Sequence, residues 1–185
     1  MNSAEFFTRV LPELFSDPKI LGGRTSRMSV CLWVDAEAYS LRIRDGQLLV
    51  SPGRDPEALV SLMLSEADFP VLVSNVTAQL TDQRALLALQ VLLVEEAAVA
   101  ELSDLEGAVE FAIKDGPTVR RLLLILGRTE RTWSEAECVV TTELADFLLV
   151  QKGAAHPVEL LMQGKLQVQG DPALLMMLAP LFVNP

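Results

Sequence analysis

The sequence predicts an α+β fold for this chain of 185 residues. Apolar residues recur at helical spacing near the N-terminus, and they alternate with polar or small residues in two later groups of short segments. Gly, Pro and Asp stand where one period gives way to the other. Since a helix repeats about every 3.6 residues and a strand every two, these changes of period separate helices from strands.

The first part of the chain predicts one helix and three strands. Residues 3–16 have an amphipathic helical pattern with a weak point at Pro12, and the Asp-Pro and Gly-Gly pairs in residues 17–23 end it. From Met28 the apolar residues alternate, and Asp45–Gly46 is a strong signal for a two-residue hairpin turn. We therefore expect a meander of three strands.

The middle of the chain predicts a fourth strand, two helices and a second hairpin. Leu59–Leu64 has the pattern of a strand, and Ser65 can cap a short helix that ends near Ser74. A longer helix is expected over residues 83–102, where Ala and Leu are dense enough to imply burial over much of its girth. Two further strands then flank a turn at residues 115–117.

The C-terminal residues predict a helix, a strand and a second helix. A short helix is expected from His156 to Met162, and a glycine-bounded strand over Gly164–Gly170. Asp171 and Pro172 are preferred residues for the cap and first turn of the next helix. This helix, Ala173–Leu178, is apolar at every position, so it must contact the sheet on one side and another apolar surface on the other.

Two segments of the chain are similar to each other. Ala58–Phe69 aligns with Ala136–Phe147 at a shift of 78 residues, and both segments run from a strand through a helix cap into a short helix. The sequence therefore predicts an internal duplication, with an incomplete first copy in residues 1–80 and a second unit in residues 81–185. The two units can pack as one compact body, and chance similarity is the alternative explanation.

Charge and apolar content exclude several classes of function. The formal net charge of -10 disfavours binding to nucleic acid or to anionic membranes. The most apolar stretch, Ala85–Val94, is too short for a bilayer span of about 20 residues, so no stable membrane insertion is expected. Glu5 stands where a signal peptide needs a basic residue, which predicts a cytoplasmic location. A mean hydropathy of +0.33 in so acidic a chain predicts an internal cavity or a partner surface.

No catalytic or metal-binding constellation emerges from the residue pattern. The single histidine, His156, is expected at the surface or at a helix cap. Cys31 and Cys138 lie far apart in apolar strand-like runs, which predicts buried reduced thiols. Lys165 is expected to face solvent, and Asp171 to cap a helix rather than to act as an acid catalyst. We therefore expect no enzyme activity, no metal ion and no cofactor.

A series of motifs follows in order near the C-terminus. Asp146 and Phe147 stand at a helix start, Gly153 precedes a second short helix, and Gly164–Asp171 has the pattern G-K-L-x-x-x-G-D. In this order the motifs resemble the C-terminal half of the sterol-carrier-protein-2 family. Residues 84–135 fit the earlier helix and strands of that family by pattern alone.

The resemblance implies a mixed, mostly antiparallel sheet with helices over one face. Between the sheet and the helices, the family encloses an apolar tunnel for fatty acids, acyl-CoAs, sterols or polyprenyl lipids. It also implies binding or transfer of a lipid without catalysis, in some cases as a module beside an enzyme. Residues 1–80 resemble a degenerate half-copy, which can fill the tunnel mouth or form a pseudo-dimer.

A cavity of this kind is expected to be lined by the last apolar elements. Methionine is flexible and suits ligands of variable shape, although a packed core is the ordinary interpretation of such residues. The predicted lining residues are Phe147, Leu160, Leu161, Met162, Leu174, Met177, Leu178 and Phe182. The alternative function is an interaction module, in which the apolar C-terminal helix binds a partner enzyme or a second copy of the chain as a homodimer, without ligand.

Overall fold

The computed structural model describes residues 2–74, 92, 96–151 and 154–177. In this part of the chain eight strands form one sheet with the order β3-β2-β1-β4-β6-β5-β7-β8. The strands are β1 (Val30–Val34), β2 (Glu37–Arg44), β3 (Gln47–Pro52), β4 (Val60–Leu64), β5 (Gly107–Asp115), β6 (Thr118–Leu126), β7 (Cys138–Glu143) and β8 (Gln167–Gly170).

Seven α-helical segments are described, most of them short. They are α1 (Ser3–Glu5), α2 (Leu11–Leu14), α3 (Pro18–Leu21), α4 (Glu96–Ser103), α5 (Leu144–Gln151), α6 (Pro157–Met162) and α7 (Pro172–Met177). Phe6–Val10 and Pro70–Ser74 are π-helical, and Trp133–Glu135 forms a 3-10 turn. Because Phe6–Val10 joins α1 to α2, the N-terminal helix predicted from the sequence is continuous from residue 3 to residue 14.

The sheet is mixed and mostly antiparallel, and the α+β prediction is confirmed. β1 runs parallel to β4 and β5 parallel to β7, while the other five neighbouring pairs are antiparallel. The predicted meander is present as β3-β2-β1, and Arg44 pairs with Gln47 around the Asp45–Gly46 turn. Each parallel pair requires a crossover connection, since a tight turn can join only antiparallel strands.

Helices cover one face of the sheet, which we call the helical face. Val30, Leu32 and Val34 of β1 point towards it and are buried in the main core, and the same alternation continues across the neighbouring strands. Cys31 and Trp33 point to the opposite side, which we call the reverse face. The apolar core therefore lies between the helices and a single surface of the sheet.

An aromatic cluster packs the N-terminal helix onto the helical face. The ring of Phe7 stacks on Tyr39 of β2 with centroids 4.6 Å apart, and Phe6 meets Phe69 edge to face at 5.3 Å. Offset and edge-to-face pairs of this kind add to the stabilisation that comes from burial alone. The first helix is thereby tied both to the meander and to the helical segment that follows β4.

Some elements differ from the sequence-based expectation. Residues 17–23 were expected only to end the N-terminal helix, but Pro18–Leu21 forms α3. The Asp17 carboxylate caps this turn by accepting a hydrogen bond from the Lys19 amide at 2.9 Å. The strand expected from Gly164 begins instead at Gln167. The helix expected over residues 83–102 is described mainly at its end, as α4, and most of its length lies outside the described residues.

The two predicted units share one continuous sheet. β4 of the first unit pairs antiparallel with β6 of the second over five residue pairs, from Val60 with Leu126 to Leu64 with Leu122. Beside this junction the Arg120 guanidinium contacts Asp115 at 2.6 Å and Asp68 at 3.3 Å, with 18% of its side chain exposed. The division at residue 80 and the internal duplication stay predictions.

The half-buried position of Arg120 gives a test of how strongly the two units are joined. We expect Arg120→Gln to lower the free energy of unfolding by about 1–3 kcal/mol, because the change removes charge-assisted hydrogen bonds to two carboxylates. Chemical denaturation followed by circular dichroism measures the loss. Arg128→Gln is the matched control: its pair with Glu57 also connects the two units but is exposed, so the expected loss is below about 1 kcal/mol. Equal losses in the two variants would contradict the bridging role of Arg120.

Candidate ligand-binding site

Helix α7 is seated on the sheet through one leucine and one glycine. Leu174 is buried, and Gly107 is the first residue of β5. A Cβ atom on Gly107 would lie only 2.9 Å from Cδ2 of Leu174, so a side chain at this position would force the Leu174 side chain to shift. The absence of a side chain on Gly107 therefore leaves room for Leu174 against the start of β5.

The entry into α7 is a sharp corner after β8. Gly170 has a φ of 93°, and a Cβ atom there would lie 2.1 Å from the carbonyl oxygen of Glu137, which only glycine avoids. The Asp171 amide donates a hydrogen bond to the same carbonyl oxygen at 3.1 Å. The Asp171 carboxylate accepts from the Ala173 amide at 2.9 Å, which confirms its predicted role as a helix cap.

The Glu137 side chain fastens this corner to the start of β5. Its carboxylate accepts a hydrogen bond from the Ala108 amide at 2.5 Å and forms an ion pair with Arg131 at 3.3 Å. Three segments, the start of β5, the start of β7 and the start of α7, are thus fixed around one residue. This arrangement places α7 over the helical face of β5 and β7.

Helix α5 forms the second wall over the helical face. Leu144 and Phe147 are half-buried and pack against the main core. At the other end of the helix, the side-chain amide of Gln151 donates a hydrogen bond to the Leu72 carbonyl oxygen at 3.0 Å. Asp146 at the helix start pairs with the exposed Lys165 at 3.0 Å. Helix α5 therefore bridges the second unit and the helical segment that follows β4.

Apolar side chains form the floor beneath these helices. Val109 and Ile113 of β5 and Val140 of β7 are almost fully buried on the helical face. Cys138 lies among them as a free thiol, and burial raises its pKa, so the group stays neutral at ordinary pH. Cys31 is also free and buried, which confirms the prediction for both cysteines.

The structure separates the predicted lining residues into three groups. Leu160 and Leu174 are buried and Phe147 is half-buried, all three against the helical face. Leu161 is 37% and Met162 84% exposed, so these two side chains face solvent. Met177 is the last residue of α7, and its side chain is not described. The predicted residues Leu178 and Phe182 lie outside the described residues. The complete lining stays a prediction.

Helix α6 has one side buried in the core and one side exposed to solvent. Six residues make fewer than two turns, and Leu160 points to the core while Val158, Leu161 and Met162 point outward. His156 caps this helix by accepting a hydrogen bond from the Val158 amide, as the sequence predicted. The helical spacing in the sequence does not show which side of so short a helix is buried.

Two buried oxygen atoms over the helical face lack a hydrogen-bond partner within the described part of the chain. They are Oγ1 of Thr142, a residue only 3% exposed at the end of β7, and Oε1 of Gln151 at the end of α5. Buried polar groups are normally paired, so the Thr142 hydroxyl is available to donate to or accept from a ligand oxygen, and Oε1 of Gln151 is available to accept from a ligand hydroxyl group. Sequence reasoning missed both residues, and strand alternation from Cys138 and Val140 is the signal that points Thr142 inward.

The described residues show no metal-binding cluster beside these groups. In residues 2–74, 92, 96–151 and 154–177, no three His, Cys, Asp or Glu side chains are placed to hold a metal ion. Across the same residues, no helix is both long and apolar enough to pass through a bilayer. What the arrangement offers is an apolar floor, two helical walls and two unpaired oxygen atoms.

Comparison with known families and structures gives one family match. The model of the SCP-2 sterol transfer family matches residues 85–183, more than half of the chain. Residues 1–84 lie outside this match. No curated protein matches the chain significantly.

Several solved structures are similar to the chain at low identity. Palmitated SCP2L2 from Aedes aegypti is 18% identical, with 62% of this chain and 94% of that chain covered and a TM-score of 0.45. Sterol Carrier Protein 2 from Yarrowia lipolytica in its apo form is 14% identical over 63% and 88%, with a TM-score of 0.38. Sterol Carrier Protein-2 from Aedes aegypti in complex with palmitate is 22% identical over 55% and 93%, with a TM-score of 0.37.

The unpaired hydroxyl of Thr142 predicts a gain in stability when it is removed. We expect Thr142→Val to raise the free energy of unfolding by about 1 kcal/mol, because valine has nearly the same shape and leaves no buried polar atom unpaired. Thermal or chemical denaturation of the ligand-free protein measures the change. Thr141→Val, its half-buried neighbour on the reverse face, is the control and should change stability by less than about 0.5 kcal/mol. A less stable Thr142→Val variant would mean that the hydroxyl has a partner.

Proposed function

The chain belongs to the SCP-2 sterol transfer family, and from this premise we propose that it binds an apolar lipid and carries or presents it without catalysis. The family match is the observation that carries the proposal, since it includes the described elements from α4 to α7. The proposed ligand class is a fatty acyl, sterol or isoprenoid lipid. The proposal retains the cytoplasmic location expected from the sequence.

The proposed site lies between the helical face of β5 and β7 and helices α5 to α7. Phe147, Leu160 and Leu174 reach the helical face from these three helices. The sequence has further apolar residues at 85–94 and 178–182. Alkyl or ring carbons of a ligand would be removed from water in these surroundings.

The expected affinity follows from the apolar part of the ligand. Burial of one methylene group contributes about 0.8 kcal/mol, so a dozen contribute roughly 10 kcal/mol before the costs of association. Micromolar affinity corresponds to about 8 kcal/mol, so no strong polar anchor is required. Oγ1 of Thr142 and Oε1 of Gln151 can then orient the polar end of the ligand by hydrogen bonding. Apolar contacts supply the affinity in this proposal, and the two oxygen atoms supply orientation.

One observation favours a second candidate function. Val158, Leu161 and Met162 form an exposed apolar side of α6, and Leu149 at 40% exposure lies on the neighbouring helix α5. Clustered apolar groups at a surface are typical of contacts between proteins. The second candidate is therefore an interaction module that uses this surface to bind a partner enzyme or a second copy of the chain.

Native mass spectrometry of the protein purified without detergent is the direct test of lipid binding. We expect a lipid of acyl, sterol or isoprenoid class to co-purify at near-unit stoichiometry, because an apolar cavity retains such a molecule through purification. Organic extraction followed by lipid mass spectrometry identifies the class. An empty protein that runs as a defined oligomer would contradict the lipid proposal and favour the interaction module.

Two aspartate substitutions distinguish the inside of the proposed site from its outside. We expect Leu174→Asp to weaken palmitate binding at least tenfold, because it places a carboxylate between α7 and the helical face. Met162→Asp should leave palmitate binding within about twofold, since the Met162 side chain is in solvent. Equilibrium dialysis is the suitable measurement, because Trp33 and Trp133 both lie on the reverse face and their fluorescence would not sense the ligand.

A conservative variant separates loss of binding from loss of folding. Leu174→Met keeps the volume of the side chain and should retain both the circular dichroism spectrum and palmitate binding. Loss of binding in Met162→Asp together with full binding in Leu174→Asp would place the ligand outside the helical face and contradict the site. Under the interaction-module alternative, Met162→Asp would instead dissociate a dimer or a complex.

A further inference from the structure

An open cleft lies on the reverse face of the sheet, away from the proposed lipid site. Its volume is about 580 Å³, and its lining residues all fall between Thr25 and Asp55, around β1, β2 and β3. This part of the chain is outside the family match, which begins at residue 85. Helices cover the opposite face of the same strands, so the cleft belongs to a different surface of the molecule.

The cleft concentrates positive charge in an acidic protein. Four arginines line it, Arg27, Arg42, Arg44 and Arg54, against one acid, Asp55. The whole chain has the reverse balance, with 15 Lys and Arg against 25 Asp and Glu. Serine hydroxyl groups from all three strand regions add further hydrogen-bonding capacity to the lining. A solvated polar sheet surface in such a chain would be expected to carry both signs of charge.

Asp55 holds the cleft together without cancelling its charge. Its carboxylate accepts hydrogen bonds from the Ser29 hydroxyl at 2.7 Å, the Glu57 amide at 3.0 Å and the Arg42 guanidinium at 2.8 Å. These donors, the Ser29 hydroxyl foremost, lower the pKa of Asp55, so it stays ionised and keeps Arg42 in place. Only one nitrogen of Arg42 is engaged in this contact.

Arg54 makes the second fixed wall of the cleft. Its guanidinium donates to Glu130 at 2.8 Å and to the carbonyl oxygen of Arg128, and only 21% of its side chain is exposed. The loop after β6 is thereby tied to the loop after β3. Arg54 is therefore a brace of the cleft, and Glu130 offsets its charge.

Two of the arginines have unused hydrogen-bonding capacity. Arg44 is 3.9 Å from Asp45 and Arg27 is 3.8 Å from Glu96, distances too long for hydrogen bonds, and neither guanidinium donates to any other described residue. Arg42 and Arg44 alternate along β2, so both project to the reverse face about 7 Å apart. Their long side chains can converge on the oxygen atoms of one anion.

We propose that this cleft binds a phosphate group, with Arg42 and Arg44 as its principal contacts and Arg27 at the rim. The guanidinium group presents paired donors that match phosphate oxygens, and several such groups suit a doubly charged anion better than a single carboxylate. The phosphate could belong to a soluble metabolite or to a phospholipid headgroup, since both present the same oxygen atoms. This site is separate from the proposed lipid cavity and does not depend on it.

Isothermal titration calorimetry of the full chain with inorganic pyrophosphate tests the site. We expect binding with a dissociation constant below about 1 mM, and about a tenfold weaker affinity in Arg42→Gln and in Arg44→Gln, because each change removes charge-assisted hydrogen bonds. Arg44 is 74% exposed, so its variant should fold normally. Arg9→Gln, an exposed arginine in the helix on the opposite face, makes the same change of charge and should bind within twofold of the original protein.

A second measurement identifies the source of the phosphate. Co-sedimentation with phosphatidylcholine vesicles, with and without phosphatidic acid, is compared for the original protein and Arg44→Gln. Arginine-dependent binding to the phosphatidic acid vesicles supports a lipid headgroup, and pyrophosphate binding without vesicle binding supports a soluble phosphate compound. Absence of pyrophosphate binding, or an equal loss in Arg9→Gln, would overturn the proposal. Palmitate binding and pyrophosphate binding are measured separately on the original protein, so failure of the lipid site and failure of this site are distinguishable.

Discussion

The antiparallel pairing of β4 with β6 is the interaction on which the rest of the structure depends. It joins β3-β2-β1-β4 to β6-β5-β7-β8 and so creates one helical face that spans both predicted units. Apolar residues of both units are buried on that face, so helices from both units are needed to cover it. The hydrogen bond from Gln151 to the Leu72 carbonyl oxygen and the ion pair of Arg120 with Asp68 connect the two units over this face. Although the family match begins at residue 85, the edge of β6 that it contains is completed by a strand that precedes it.

The two faces of the sheet are covered by different elements, and this determines where the proposed ligands can bind. On the reverse face, the loop after β6 lays Trp133 over a small core of Ala108, Leu123 and Ile125. The Arg121 guanidinium lies 4.6 Å from the centroid of the Trp133 ring, and its bidentate pair with Glu110 raises the pKa of Arg121. This cover ends before β1, so the meander leaves a polar surface open on the reverse face. The lipid and phosphate proposals therefore concern opposite faces, and occupancy of one leaves the other accessible.

Local patterns in the sequence predicted the strands and turns well, because alternation and turn chemistry act over a few residues. The Asp45–Gly46 hairpin and the Asp171 cap are examples. The sequence did not indicate the contact of Leu174 with Gly107, since the two residues are brought together only by the corner at Gly170 that places α7 over β5. It also listed Met162 with the cavity residues, whereas that side chain is in solvent, because apolar character alone does not tell the inner side of a short helix from the outer. The sequence also did not indicate the arginine cleft, because Arg27, Arg42 and Arg54 are brought together only by strand pairing.

The strand order of the sheet limits which strands a duplicated chain could contain. Each half contains a hairpin, β1-β2 or β5-β6, and a later strand, β4 or β7, that runs parallel to the first strand of the hairpin. The shift of 78 residues aligns Val60 with Cys138, which are the first residues of β4 and β7. If the halves are copies, the counterpart of β3 would lie beside β6, where β4 is found, and the counterpart of β8 would lie beside β4, where β6 is found. Each half would then complete the edge of the other and leave no room for the missing strands. A first copy without a β8 counterpart also lacks the corner that positions α7, which is why the lipid site is proposed in the second half.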